Sequence, residues 1–258
     1  HDFMLMRNKK EAFEIELMKK ANNIAEKSFL ELLNEVKIGK TEKELAALFD
    51  YIMARNGSDG VSFDTILLTG THTSMPHGVP SDKKIKDGDF VLFDFGATYQ
   101  GYHSDMTRTI FVGEPTEEMK KVYDLVLNNQ KFALDQYKDG ANARQITKMV
   151  ESNFKLNGGY DLIHSLGHGV GLEIHELPYM SYRFDTMLRE NMVVTDEPGI
   201  YIPGKFGVRI EDTVQITKFG CISLTNSEKN YKYIFEIETQ NEKAENAEER
   251  KRRKAFYL

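Results

Sequence analysis

Apolar residues recur at helical spacing through the first part of the chain. From residue 11 to residue 37 they fall three to five positions apart, which predicts an amphipathic helix. A second helix is predicted to follow Thr41, because Glu44 completes a capping box, and to end at Asn56 and Gly57. The apolar positions of the two helices are Phe13, Leu17, Ala21, Ile24, Phe29, Leu32, Val36, Leu45, Leu48, Phe49 and Ile52.

This helical pattern recurs about a hundred residues later. A shift of 101 positions places Gly39 on Gly140 and Gly57 on Gly158. A long amphipathic helix behind the Thr116 cap precedes the second copy, and strand-like segments follow each copy. We therefore predict two helix–helix–strand halves related by a pseudo-two-fold axis, with the functional site at the interface between them.

The predicted strands are rich in β-branched and aromatic residues. They cover residues 63–68, 90–97, 104–112, 192–197 and 208–217. We expect them to form one antiparallel or mainly antiparallel mixed sheet in an α+β fold. Residues 1–238 are predicted to form one domain, and the charge-dense residues 239–258 a solvent-exposed tail, with partner binding by the tail as the alternative.

The composition excludes several classes of protein. The 258 residues carry 34 Lys and Arg against 40 Asp and Glu, a net charge of −6, which gives no electrostatic reason to expect nucleic acid or an anionic membrane as partner. No apolar stretch approaches the roughly 18 residues of a membrane span. The single cysteine, Cys221, excludes an internal disulfide and a thiolate-rich metal site, and it favours a cytoplasmic location.

Two pairs of acidic residues stand where hairpins bring strands together. Asp94 and Asp105 are symmetric about residues 99–100, so a simple hairpin makes them cross-strand partners with Cβ atoms about 5 Å apart. Glu197 and Glu211 flank a second turn in the same way. Ionised carboxylates at this distance repel one another unless a cation lies between them. A single pair is explained by solvated surface acids, but two pairs in two repeated halves favour a cation site.

Histidines cluster beside these acids. The segment GHGVGLEIHE, residues 167–176, places His168 and His175 among glycines that allow close approach of the backbone to a ligand. His164 precedes it, and His77 lies in a Met-Pro-His-Gly segment. A structural role is the alternative explanation for each histidine taken alone, but the clustering of the histidines favours a functional role. Four acids and one imidazole suit a dinuclear site for Mn²⁺, with Co²⁺, Fe²⁺ or Zn²⁺ as alternatives, and metal-assisted hydrolysis follows.

Other catalytic signatures are missing from the sequence. There is no G-x-S-x-G segment, and Cys221 has no histidine near it in sequence, so covalent hydrolysis lacks a candidate nucleophile. The glycines of residues 167–171 spell neither a P-loop nor the dinucleotide-binding fingerprint. Residues 94–96 read Asp-Phe-Gly, but the other protein-kinase motifs do not accompany them.

Residues 10–236 resemble the pita-bread metallopeptidases of family M24. The motifs that carry the resemblance are SMPHGVP, VLFDFGA, HSDMTRT, HSLGHGVGLEIHELP, DEPGIY and VRIEDT. The EPGIY and RIED segments are similar to those of Xaa-Pro aminopeptidase and Xaa-Pro dipeptidase (prolidase), whereas methionine aminopeptidases usually differ at both. The resemblance implies an α+β pita-bread fold around a curved sheet. It also implies hydrolysis of the N-terminal Xaa-Pro bond of peptides through a metal-bridging hydroxide.

The resemblance also assigns a role to each candidate residue. The ligands that it implies for two divalent ions per chain are Asp94, Asp105, His168, Glu197 and Glu211. Asp105 and Glu211 would bridge the ions, and Glu197 would also move a proton to the leaving proline nitrogen. His77 and His175 match catalytic, substrate-binding histidines. The positions that match supporting or substrate-pocket residues are His164, Tyr201 and Arg209.

Several alternatives stay open on sequence alone. Removal of N-terminal methionine and non-catalytic peptide binding both occur on this fold, and the intact ligand set argues against the second. For Arg209, a salt bridge that only orients Asp94 or Glu211 is as good an explanation as substrate contact. The resemblance also implies peptide substrates and a homodimer.

Overall fold

A computed structural model describes residues 6–229, and the charged tail predicted for residues 239–258 lies outside this range. The helices are α1 (Ala12–Leu32), α2 (Glu42–Arg55), α3 (Glu117–Gln136) and α4 (Ala143–Gly158), with short 3₁₀ helices at Leu33–Glu35 and Gly70–Ser74. The strands are β1 (Gly60–Val61), β2 (Ile66–Thr69), β3 (Asp89–Phe95), β4 (Ala97–Tyr99), β5 (Tyr102–His103), β6 (Met106–Val112), β7 (Gly167–Gly169), β8 (Glu176–Met180), β9 (Val193–Asp196), β10 (Gly199–Ile202), β11 (Phe206–Arg209), β12 (Asp212–Ile216) and β13 (Cys221–Ser223).

The first two helices form where the apolar pattern predicts them. Thr41 caps α2 through a bond from the Glu44 backbone, and Glu44 bonds back to the Thr41 amide, as the capping box requires. Helix α1 ends at Leu32, earlier than predicted. The assignment of Phe13 to the buried stripe is wrong, because its side chain is 63% exposed. It lies about 160° around the helix from Phe29, which is buried.

The predicted repeat is visible in the backbone. Gly39 and Gly140 both end a turn before a helix in the left-handed conformation, with φ of 92° and 80°. Their amides donate equivalent bonds, to the carbonyl of Ile85 in the first half and of Leu188 in the second, both 2.9 Å long. Helix α4 ends at Gly158, two residues beyond the position equivalent to Arg55, and the left-handed glycine after it is Gly159, one residue beyond the equivalent of Gly57.

The strands pair antiparallel throughout but divide among four sheets instead of forming one. The first half contributes a sheet ordered β2-β3-β6 and the second a sheet ordered β13-β12-β9-β7-β8; β1-β4-β5 and β10-β11 form smaller ribbons. The predicted strand over residues 208–217 is interrupted, because β11 ends at Arg209 and β12 begins at Asp212. Glu211 therefore lies in the break between β11 and β12.

Each helix pair packs on the sheet of its own half. Helices α1 and α2 cover β2, β3 and β6 with a core that includes Phe29, Phe49 and Phe95. Helices α3 and α4 pack on the second half through residues such as Val150 and Phe154. Within residues 6–229, no helix combines the length and apolar character that a membrane crossing requires. The sheets meet where β6 runs beside residues 209–213.

Candidate metal centre

The hairpin that carries Asp94 and Asp105 has a different register from the predicted one. Asp94 pairs with Thr107, so direct pairing of the two aspartates is wrong. The turn is formed by Gln100 and Gly101, both at positive φ, which moves its centre one position along the chain. Asp105 precedes Thr107 by two residues, and alternation therefore places it on the same face as Asp94. The two aspartates are diagonal neighbours.

Glu197 and Glu211 stand opposite each other as predicted. The pairs that flank them in register are Asp196 with Asp212 and Gly199 with Arg209. The Glu211 amide donates to the carbonyl of Thr107 at 3.1 Å, which holds this segment of the second half against β6. The Thr107 hydroxyl in turn donates to Glu211 Oε2 at 2.6 Å. Carboxylates from both halves therefore meet at one place.

His168 on β7 directs one ring nitrogen at these carboxylates. Its Nε2 lies 3.3 Å from Asp105 Oδ2 and 3.4 Å from Glu197 Oε1. Nδ1 lies 3.0 Å from the carbonyl of Gly169, which can only accept, so Nδ1 is the donor. A neutral ring then leaves the Nε2 lone pair for a metal ion. One ligand atom each from Asp105, His168 and Glu211 lie within 4.8 Å of one another.

The buried carboxylates of this cluster repel one another, and a bound cation would relieve this repulsion. Burial, followed by the neighbouring carboxylates of Asp94 and Glu197, raises the pKa of Asp105 well above its usual range. Burial and then Asp105 do the same to the pKa of Glu211. Among the described residues, the buried Oδ1 atom of Asp94 has no hydrogen-bond partner. Crowded carboxylates, an unpaired oxygen and a free imidazole nitrogen fit divalent cations.

Arg209 connects the cluster to two further predicted residues. Its Nη2 donates to Asp94 Oδ2 at 2.5 Å and its Nη1 to the Tyr201 hydroxyl at 2.6 Å. The Tyr201 hydroxyl also lies 2.9 Å from His164 Nε2. Burial raises the pKa of Tyr201 to about 12, so its hydroxyl stays protonated. The geometry contains the salt bridge to Asp94, which was one of the two explanations for Arg209.

The two remaining histidines, His77 and His175, line the same cavity, whose volume is about 280 Å³. The ring centroid of His175 is 4.3 Å from that of His168. Burial and the neighbouring His168 lower the pKa of His175 below its usual value. His77 is exposed and lies three residues after the Gly70–Ser74 helix. One loop from each half therefore supplies a histidine.

Nine of the ten predicted residues line this cavity. They are His77, Asp94, Asp105, His164, His168, His175, Glu197, Arg209 and Glu211, and Tyr201 contacts it through His164 and Arg209. The predictions missed four further wall residues, which are Phe63, Ile66, Ser165 and Tyr179. Ile66 pairs with Asp94 across β2 and β3, so the strand register would have identified it.

Known proteins resemble this chain over most of its length. The sequence pattern of metallopeptidase family M24 matches residues 16–218. An Xaa-Pro dipeptidase of Pyrococcus furiosus is 48% identical over 217 residues, which are 84% of this chain and 62% of that protein. The chain thus spans less than two thirds of the length of this relative.

Solved structures show the same fold. An X-Pro aminopeptidase from Thermotoga maritima has a TM-score of 0.87 and 44% identity over 89% of this chain and 65% of its own. The prolidase from Pyrococcus furiosus has a TM-score of 0.85 and 47% identity over 88% of this chain and 68% of its own. These likenesses confirm the predicted α+β pita-bread fold. The chain belongs to metallopeptidase family M24.

Proposed function

We propose that this chain is the catalytic part of a metal-dependent exopeptidase that cleaves the bond between an N-terminal residue and a following proline. The observation that carries the proposal is the convergence of four carboxylates and His168 in one cavity with three further histidines, His77, His164 and His175. The relatives named Xaa-Pro dipeptidase and X-Pro aminopeptidase support the choice of bond.

Two divalent ions, with Mn²⁺ as the first choice, are the proposed cofactors. The residues that would hold them are Asp94, Asp105, His168, Glu197 and Glu211. When bound, such a pair of ions provides a water nucleophile at neutral pH and polarises the scissile carbonyl. Asp105 and Glu211, the most buried of the four acids, suit shared ligation because their carboxylates have the least access to water.

The chain's own side chains would carry out the proton transfers and the stabilisation of charge. Glu197 accepts a bond from Thr195 Oγ1 at 3.2 Å, and its partly accessible carboxylate would take a proton and deliver it to the leaving proline nitrogen. His77 and His175 would donate to the carbonyl oxygen as negative charge develops on it. A single such donor contributes about 3 to 4 kcal/mol.

Hydrolysis of this kind does not require an N–H at the scissile bond. The Xaa-Pro bond is a tertiary amide, and the proline nitrogen carries no hydrogen that a peptidase could use for binding. The proposed site acts on the carbonyl carbon and oxygen and on the leaving nitrogen. A proline after the scissile bond is therefore compatible with every contact proposed above.

Peptide hydrolysis by the same chain with and without metal tests the proposal. The protein is treated with chelator, reconstituted with Mn²⁺ and assayed on an Xaa-Pro dipeptide, an Xaa-Pro-Xaa tripeptide and a Met-Ala peptide. We expect metal-dependent cleavage of at least one proline peptide and none of Met-Ala. Cleavage of Met-Ala alone would identify a methionine aminopeptidase, and metal binding without any cleavage a peptide-binding protein.

Two further predictions accompany the proposal. The resemblance to family members implies a homodimer, and the single cysteine favours a cytoplasmic location. Light scattering on the purified chain measures the mass in solution, and fractionation of cells that express it measures the location. A monomer would leave the proposed chemistry intact, because every proposed side chain comes from one chain.

A further inference from the structure

Glu42 is a buried carboxylate that the proposed chemistry does not use. It is the first residue of α2, and its exposure is 0%. Its Oε1 accepts from the Thr69 amide at 2.7 Å, and its Oε2 accepts from the Ser81 amide at 2.8 Å and the Ser81 hydroxyl at 2.6 Å. The ring of His72 donates to the same carboxylate through Nδ1 at 2.8 Å. Both carboxylate oxygens are therefore fully engaged.

The partners of Glu42 mark the two ends of one loop. Thr69 ends β2 and Ser81 lies twelve residues later, so one carboxylate binds both ends of the segment that presents His77. At the tip of this loop, Met75 is 54% exposed and Val79 is 77% exposed. These two side chains therefore contribute little apolar packing to the position of the tip.

His72 extends this support to the residue beside His77. A Cβ atom added to Gly78 would lie 3.2 Å from His72 Nε2 and 2.9 Å from Leu68 Cδ1, so the backbone at Gly78 rests directly on these two side chains. Glu42 holds the opposite ring nitrogen of His72. A continuous set of contacts thus runs from Glu42 through the His72 ring to the backbone next to His77.

Helix capping does not explain Glu42. The Thr41 and Glu44 side chains already form the capping box of α2. Glu42 instead turns inward, where an unpaired carboxylate would be costly and where each donor comes from the His77 loop. We propose that Glu42, acting through His72 and Ser81, is a positioning residue that fixes His77 in the active cavity. The proposal rests on the function proposed for His77.

The test compares Glu42→Gln with the matched control Glu44→Gln. An amide in place of the Glu42 carboxylate would turn one of its two acceptor oxygens into an NH2 group, which would face the donors of Ser81 or the amide of Thr69. An amide in place of the Glu44 carboxylate still serves a capping box. We expect Glu42→Gln to lower kcat/KM on an Xaa-Pro peptide by about 10- to 100-fold, with bound metal unchanged, because small misplacement of a catalytic group has effects of this size. Glu44→Gln should match the wild type.

A double-mutant cycle with His77→Ala distinguishes positioning from general damage. If Glu42 acts through His77, adding Glu42→Gln to His77→Ala costs less than about twofold, because the interaction is already lost. Additive losses would overturn the proposal. Ser81→Ala removes the hydroxyl bond to Glu42 and should lower kcat/KM by a smaller factor, with the same dependence on His77. This variant replaces Glu42→Gln in the cycle if Glu42→Gln does not fold.

Hydrogen exchange tests the positioning without any assay of activity. Amides of residues 70–80 should exchange faster in metal-loaded Glu42→Gln than in the wild type and in Glu44→Gln, while β3 is unchanged. Equal protection in all three proteins would overturn the proposal. If the wild type cleaves no proline peptide, the proposed function fails, but the exchange result still decides whether Glu42 orders the loop.

Discussion

The two halves of the molecule have a similar backbone arrangement and differ in their buried charged residues. The first residue of α2 and the first residue of α4 occupy equivalent places, and their amides donate to the carbonyls of Lys83 at 3.0 Å and Thr186 at 2.9 Å. In the first half this residue is Glu42, which binds the loop that carries His77. In the second half it is Ala143, which has no polar side chain to do so.

The second half holds the segment beside its own histidine by ion pairs instead. Glu176 follows His175 and is buried, with Lys10 Nζ at 2.5 Å and Arg7 Nη2 at 2.9 Å from its carboxylate. Lys10 comes from the segment before α1, so the first half supplies the partner. The comparison teaches that the two halves have a similar backbone arrangement, whereas the side chains that hold the two histidine loops are not repeated between the halves.

The largest effect is expected where both halves contribute to one cluster. Asp105→Asn and Glu211→Gln each remove a carboxylate from a different half, and each should lower kcat/KM on an Xaa-Pro peptide by about 10³-fold or more even with excess Mn²⁺. The exposed Asp82→Asn is the matched control. Retention of activity in either cluster variant would mean that one half alone forms the site.

A large loss of stability is expected from Lys10→Met. It leaves Glu176 buried with Arg7 as its remaining cationic partner, and breaking a buried pair costs about 3 kcal/mol. Chemical denaturation measures the free energy of unfolding, and the exposed neighbour Lys9→Met provides the control. A change below about 1 kcal/mol would show that Arg7 is sufficient.

The two histidines should behave alike despite their different supports. His77→Ala and His175→Ala should each lower kcat/KM by about 10²-fold, because each removes one of the donors proposed for the developing oxyanion. Metal content, measured on the purified variants, should equal that of the wild type. Loss of metal in His77→Ala would mean that this residue is a ligand and that its assigned role is wrong.

The stability of the metal-free protein should depend on pH differently in the wild type and in Asp105→Asn. Because the pKa of Asp105 is raised in the folded chain, the folded state loses stability as pH rises from the ordinary carboxyl range towards the raised value. Within that pH range, the free energy of unfolding of metal-free Asp105→Asn should rise relative to that of the wild type by up to about 1.4 kcal/mol per pH unit. Thermal unfolding in chelator across this range measures the difference, and Mn²⁺ should remove it from the wild type.

The smallest effect tests the backbone repeat itself. Gly39 and Gly140 have similar positive φ angles, and nothing lies within 4 Å of a Cβ added to either. Gly39→Ala and Gly140→Ala should therefore destabilise the fold equally, by about 1 kcal/mol. Unequal free energies of unfolding would show that the two turns are not equivalent.

The sequence predicted the features that follow from local pattern. The Thr41 capping box and the opposition of Glu197 and Glu211 depend on short spacings, and each repeated glycine marks a local turn; the structure contains all of these features. The pairing of Asp94 with Asp105 failed because Gln100, a residue other than glycine, takes part in the turn with positive φ. A shift of one position in the turn centre moves each pairing by two residues.

Longer contacts were not visible in the pattern. An acid at the first position of a helix is common because it stabilises the helix dipole, so Glu42 gave no sign of another role. Its partners lie 27 to 39 residues away. His72 was missed for the same reason. The roles of the ten site residues stay predictions, and the variants above test those of Asp105, Glu211, His77 and His175.

The division of the proposed ligands between the halves has a thermodynamic consequence. Asp94 and Asp105 come from the first sheet region, and His168, Glu197 and Glu211 from the second, so a bound ion would cross-link the two. Free metal at a hundred times its dissociation constant adds about 2.7 kcal/mol to the free energy of unfolding. The melting temperature of the protein would then rise with the free metal concentration, and metal supply would set how firmly the two halves are held together.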